Sequence, residues 1–305
     1  MTAAAPPRAP RILSIGECMV ELAPAGPDGL FRRGFAGDTM NTAWYLARLR
    51  PDWAVGYLSA VGQDTISDAM LAFMAQAGIA TEHVARRADR TVGLYLIELR
   101  DGERSFAYWR DRSAARRLAE DADALDRAFA GTDLIYLSGI TLAVLKGDGR
   151  ARLLDRLAAA RAGGARIAFD PNLRPRLWPG TAAMCAAVTE AAGLADIVLP
   201  SHDDEATHFG DVDPAATRDR YAALGAGTVV VKDGPGDILA VSDGMRAGLR
   251  PDPVARVVDT TAAGDSFNAG FLAAHLAGES LDAALRAGAA LSARVIGGRG
   301  ALVEI

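Results

Sequence analysis

Short β-branched runs at residues 12–15, 55–61, 134–138, 166–169, 197–199 and 228–231 alternate with longer stretches of helical spacing. The helical stretches fall at residues 38–49, 67–77, 151–162 and 215–224, and the chain closes on two more, 264–277 and 281–295. A buried strand followed by a helix of ~10–15 residues is the repeating unit of a parallel sheet covered on both faces. The pattern therefore predicts a doubly wound α/β domain over residues 11–305, after a disordered Ala/Pro-rich tail at 1–10. One region breaks the rhythm: residues 92–99 alternate, Asp101-Gly102 is a hairpin-turn dipeptide, and 105–109 alternate again. A hairpin cannot serve as a crossover, so segments 91–111 and 19–35 are expected to form a small β lid over the strand ends.

Composition narrows the class. The formal net charge is −5 with both signs mixed along the chain, so no basic surface for nucleic acid is expected. No apolar run approaches the ~20 residues of a membrane span. The two cysteines, Cys18 and Cys185, form no metal or redox spacing, and a cytoplasmic protein is expected. Lys146 and Lys232 are the only lysines among many arginines.

The chemistry concentrates in Asp259-Thr-Thr-Ala-Ala-Gly-Asp-Ser-Phe-Asn268, a small-residue turn running into a helix. Backbone N–H groups of Ala262, Ala263 and Gly264 at that helix start suit phosphate oxygens. Asp265 then stands in the first turn, where a carboxylate can accept a proton from an attacking hydroxyl. The plainer alternative is that Asp259 and Asp265 only cap the helix. A second string, Phe35-Ala-Gly-Asp-Thr-Met-Asn-Thr-Ala-Trp-Tyr-Leu-Ala-Arg48, offers Gly37 for close approach to a ligand and Asn41 for sugar hydroxyls. There Asp38 could simply cap the helix. No Gly-Lys dipeptide occurs, which excludes a P-loop.

These two strings resemble the signatures of the ribokinase-like (PfkB) carbohydrate kinases, with Ala262 where many members carry Gly. The resemblance spans residues 12–303 and implies a ribokinase-type fold, ATP and Mg²⁺ as cofactors, and Asp265 as general base. It also implies that Lys232, Gly234 and Gly236, in a turn after a buried strand, contact the nucleotide, together with Asn172, Ser201 and Gly264. Ser201 and either Asp204 or Glu205 match a motif that organises magnesium, and a potassium site is implied near Asp259 and Thr261. Within the family, Gly16-Glu-Cys-Met-Val-Glu-Leu22, Tyr108-Trp-Arg-Asp-Arg-Ser113 and Asp170-Pro-Asn-Leu-Arg-Pro-Arg-Leu-Trp178 look most like the 2-keto-3-deoxygluconate kinases. That branch implies substrate contacts from Tyr95, Tyr108 and Arg110, and a substrate- and phosphate-side arginine at Arg174. A guanidinium fork recognises a sugar-acid carboxylate better than a neutral group does. A fructokinase or other neutral-sugar kinase, and a non-catalytic sensor on the same fold, are the alternatives. The lid, with Leu94, Leu96 and Phe106, is expected to pair two copies into a dimer.

Overall fold

The computed structural model describes residues 8–26, 29–100 and 103–305. Residues 1–7 of the expected tail and the Asp101-Gly102 turn lie outside the described residues. Residues 8–10 already belong to the domain, since Arg8 pairs with Asp133 at 2.7 Å and the Pro10 carbonyl accepts from the Ala54 amide.

Strands β1 (Arg11–Ile15), β2 (Met19–Pro24) and β3 (Phe31–Ala36) precede helix α1 (Asp38–Leu49). Next come β4 (Ala54–Val61), α2 (Thr65–Gln76), β5 (Val84–Arg86), β6 (Gly93–Arg100), β7 (Glu103–Trp109) and α3 (Ala122–Phe129). The βα series resumes with β8 (Leu134–Ser138), α4 (Gly139–Val144), α5 (Gly149–Ala162), β9 (Arg166–Asp170), α6 (Thr181–Gly193) and β10 (Ile197–Val198). It ends with α7 (His202–Phe209), α8 (Pro214–Ala223), β11 (Thr228–Val231), β12 (Ile238–Ser242), β13 (Met245–Leu249), α9 (Ala263–Leu276) and α10 (Leu281–Ile296).

The large sheet runs β13-β12-β11-β10-β9-β8-β1-β4-β5, parallel from β11 to β5, with β12 and β13 antiparallel at one edge. Alternate side chains of each strand enter opposite layers. Ile12, Val55, Leu134 and Val230 pack under α1, α9 and α10, while Leu13, Ile135, Ile167 and Val229 pack under α5 and α6. Each such aliphatic side chain, fully buried, contributes roughly 1.5–3 kcal/mol. From β1 the chain first builds outward to β4 and β5, then returns to build β8 to β11 on the other side. The carboxyl ends beside that reversal are where doubly wound sheets hold ligands.

A second sheet, β3-β2-β6-β7, stands apart from the first. Its inner face carries Met19, Tyr95 and Ile97, packed against Ala301. On its other face Val20, Phe35 and Leu94 join the large core. Among the described residues no helix is long and apolar enough to cross a membrane.

Candidate active site

A cavity of about 520 Å³ opens at the carboxyl ends of the large sheet, beneath the inner face of the small one. Glu17 follows β1, Ile140 follows β8, Asp170 ends β9, Ser201 and Asp204 follow β10, and Lys232 follows β11; all line it. The α1 start supplies Gly37, Asp38 and Asn41, residues 260–265 supply the loop and first turn of α9, and the small sheet supplies Tyr95, Phe106 and Tyr108. Arg110 and Arg174 complete the wall.

Asp265 lines this cavity from the first turn of α9. Asn41 Nδ2 donates to its Oδ2 at 2.8 Å, and among the described residues no side chain donates to Oδ1. Burial, reinforced by the nearby Asp38 carboxylate, pushes Asp265 up to about 8, against the opposing pull of the Asn41 hydrogen bond and Lys232. Such a carboxyl takes a proton near neutral pH, which suits a general base. The plain capping reading does not hold, because α9 is capped by Ala262 with no side-chain bond and α1 by Gly37 likewise.

The loop before α9 is shaped by its own bonds. Asp259 accepts from the Thr261 amide through Oδ1 (3.0 Å) and from the Gly300 amide through Oδ2 (2.6 Å). Ala262 adopts the left-handed region at φ +60°, a conformation that disfavours any side chain. One expectation needs correction here. The Ala263 amide donates to Thr260 O at 3.2 Å, so the amides left open among the described residues are those of Ala262, Gly264 and Asp265.

A buried polar chain stands behind Asp265. Lys232 Nζ donates to Asn268 Oδ1 at 2.9 Å and lies 3.5 Å from Asp170 Oδ2. Asn268 Nδ2 donates to Asp170 Oδ2 (2.7 Å) and to Tyr136 Oη (3.1 Å). Thr42 Oγ1 joins Tyr136 Oη to the Asp265 carbonyl, at 3.3 and 3.1 Å. Asn172, at φ +35°, donates its amide to Asp38 Oδ2 at 2.8 Å and so ties the end of β9 to the start of α1.

Several expected residues take other roles. Asn41 lines the cavity and gives one Nδ2 hydrogen to Asp265. Gly37 is required by its own chain, since a Cβ there would lie 2.1 Å from the Glu17 carbonyl oxygen. Glu205 is fully buried between α7 and α8, bonded to Arg220 (2.6 Å) and Tyr221 (3.0 Å), with burial pushing it up to about 7. It lies outside the cavity wall and is removed from the metal candidates. Asp204 remains: it lines the cavity, pairs with Arg174 at 3.2 Å, and is shifted upward by burial against the pull of that arginine. Gly234 and Gly236, in the turn between β11 and β12, do not reach the wall, and Lys232 points inward to Asp170 rather than along that turn. Arg110 is buried and bonded to Glu17 through Nε (2.8 Å) and Nη2. Glu17, Asp38 and Asp170 were assigned no site role from sequence, although each stands inside a quoted string.

Open amides at a helix start, an Asp265 carboxyl of raised proton affinity and a carboxylate-rich wall on a doubly wound α/β domain suit phosphoryl transfer. Residues 9–304 match the pfkB family carbohydrate kinases, and the chain belongs to that family. It is 41% identical over 302 residues to a 2-dehydro-3-deoxygluconokinase of Dickeya dadantii, covering 96% of this chain and 97% of the relative. Among solved structures it resembles a PfkB protein from Polaromonas sp. JS666, with a TM-score of 0.84 and 30% identity over 95% of this chain and 97% of the other. It also resembles a fructokinase with bound ATP from Xylella fastidiosa, with a TM-score of 0.82 and 25% identity over 95% and 93% of the two chains.

Proposed function

We propose that this chain transfers the γ-phosphoryl group of ATP to the terminal hydroxyl of a keto-deoxy sugar acid, 2-keto-3-deoxygluconate giving its 6-phosphate. The observation that carries the reading is one cavity joining Asp265 and the open amides to Arg110, Tyr95 and Tyr108 on the opposite wall. The name of the Dickeya dadantii relative supports the same substrate.

Asp265 Oδ1 takes the proton from the substrate hydroxyl while Asn41 holds Oδ2 in place. The amides of Ala262, Gly264 and Asp265 stabilise negative charge on the transferring phosphoryl oxygens, aided by the α9 N-terminus. Arg174, half-exposed and held loosely by Asp204, is free to reach the phosphate side. Among the described residues no three acidic, His or Cys side chains gather tightly enough to hold a metal by themselves. That fits Mg²⁺, which takes one or two carboxylates and completes its shell with phosphate oxygens and water. Asp204 and Asp170 would hold it, and it supplies charge neutralisation along the phosphate chain. Potassium is not needed to explain Asp259, whose two oxygens accept from backbone amides. Turnover that is the same in K⁺ and Na⁺ buffers would set the potassium expectation aside.

A neutral-sugar kinase is the competing reading, and the Arg110–Glu17 pair favours it, because Glu17 already balances the guanidinium. ADP release measured over about a dozen sugars and sugar acids decides: the highest kcat/KM is expected on the keto-deoxy acid. Equal or better turnover of fructose overturns the proposal.

The proposal extends to a dimer through the small sheet. Trp109, 60% exposed, and Phe31, 42% exposed, stand on its outer face, where Leu94 is already packed against the large core and is not part of the dimer surface. Phe106 belongs to the inner face with Tyr95 and Tyr108, so it is not part of that surface. Light scattering should give a dimer that Trp109→Glu dissociates; a wild-type monomer at micromolar concentration would remove this part.

A further inference from the structure

Two buried carboxylates follow β1 in the chain, Glu17 in the connection to β2 and Glu21 within β2 of the small sheet, and each is bonded to a cavity side chain, Arg110 or Tyr95. Arg110 directs Nε, at 2.8 Å, and Nη2 onto Glu17 Oε2. Tyr95 donates its O–H to Glu21 Oε2. Glu17 is 2% exposed and Glu21 7%, so neither carboxylate can be satisfied by bulk solvent.

Glu17 is fixed to the large sheet. The Gly16 amide donates to Leu58 O at 3.2 Å, Ser59 Oγ donates to Gly16 O at 2.6 Å, and Gly37 packs against the Glu17 carbonyl. A Cβ at Gly93 would lie 2.8 Å from Glu17 Oε1, and that oxygen has no hydrogen-bond partner among the described residues. Among the described residues Arg110 is the ion-pair partner of this carboxylate, with Arg116 acting on it through space. Arg110, by contrast, follows a hairpin whose neighbouring side chains Tyr108 and Trp109 are 52% and 60% exposed. Its long stem would sample many rotamers without an anchor. One end of the ion pair belongs to the rigid rim and the other to the small sheet.

We propose that Glu17 and Glu21 are positioning residues: Glu17 fixes Arg110 in register with the phosphoryl-transfer rim, and Glu21, the cross-strand neighbour of Tyr95, fixes the Tyr95 hydroxyl within the small sheet. The inference rests on the reading of this cavity as the sugar-acid site. It goes beyond that reading by assigning specificity to two acids that need not touch the substrate.

A double-mutant cycle tests it, read on the KM of the best substrate in the panel. Glu17→Ala should raise that KM about tenfold or more, the size of one charge-assisted hydrogen bond. The KM for ATP and kcat should stay within about twofold. In an Arg110→Ala background, Glu17→Ala should change the substrate KM less than about twofold, because the residue it positions is gone. Glu17→Gln, which keeps one acceptor for Arg110, should recover most of the loss. Glu21→Gln and Tyr95→Phe should show the same lack of multiplication. Losses that multiply in the double variants overturn the proposal, and so does an equal rise in the KM for ATP. If Glu17→Ala does not fold, Glu17→Met, which keeps the bulk but removes the acceptor, runs the same cycle with Arg110→Ala. A panel whose best substrate is a neutral sugar would refute the proposed function in the wild-type protein, before any variant is made. The cycle would then be read on that sugar, where multiplied losses still overturn the positioning role.

Discussion

The two walls of the cavity are built on opposite principles. The rim of the large sheet is a polar network, in which the buried Asn41, Thr42, Tyr136, Asn268, Asp170 and Lys232 are hydrogen-bonded behind a partly exposed Asp265. The small sheet presents aromatic rings, with Tyr95, Phe106 and Tyr108 at centroid distances of 5.9–6.2 Å and Tyr108 half-exposed. A buried network tolerates little change, because each unpaired member costs its full desolvation. A partly exposed aromatic surface can be altered one ring at a time. The proposed function thus puts the reaction on the wall that cannot drift and the choice of substrate on the wall that can.

The sharpest break between the walls is expected from Asp265→Asn. With the base removed, kcat should fall by ~10²–10⁴ while binding of both substrates persists. A kcat within about tenfold of wild type would return Asp265 to a structural role. The same variant tests the pH linkage. Asp265 is raised to about 8 from 3.8, so the folded state binds more protons than the unfolded state between those values, and its ionisation lowers stability as pH rises from about 4 to 8. Asp265→Asn should therefore raise Tm more at pH 8.5 than at pH 5. In the wild type, kcat/KM should climb with pH towards a plateau above about 8. A flat profile would contradict the base assignment.

Lys232→Met should be next in size. It strands Asp170 in a buried site and should lower stability by about 3 kcal/mol or more, measured by denaturant unfolding. A neutral result would mean that the rim is less closed than its bonds imply.

On the other wall, Arg110→Ala should lower kcat/KM for a sugar acid about tenfold more than for a neutral sugar, with partial recovery in Arg110→Lys. Because it also leaves Glu17 buried and unpaired, it should lower Tm. Equal kinetic losses on both substrate types would remove the carboxylate role. The smallest effect is expected from Ala262→Gly. Relief of the φ of +60° should stabilise by about 1 kcal/mol or less, with kcat unchanged.

Periodicity located β1, β4, β8, β9, β10 and β11 to within a residue or so, because parallel strands covered on both faces are nearly continuous apolar runs. The edge strands β12 and β13 were not recognised. Their signal lay in Asp243-Gly244, a two-residue turn with φ +47° and +81° that pairs Ser242 with Met245. Ala240, Ala247 and Gly248 gave the flanking residues too little β-branched character to stand out. Within the site, helix phase defeated the choice between Asp204 and Glu205. Adjacent residues on α7 point about 100° apart, so one faces the cavity and the other faces α8. The Glu17–Arg110 contact was also illegible, since it joins the connection after β1 to the residue after β7, 93 positions away.

The N-termini of α1, α7 and α9 all open onto this cavity, at Gly37, Ser201 and Ala262. Their partial positive charges come from peptide units, which every sequence possesses. Much of the attraction for a phosphorylated ligand is therefore heritable without being encoded in any particular side chain. A lineage carrying this architecture could exchange the residues of the small sheet over many generations, trying one alcohol after another. Throughout that search it would keep a working grip on the phosphate donor.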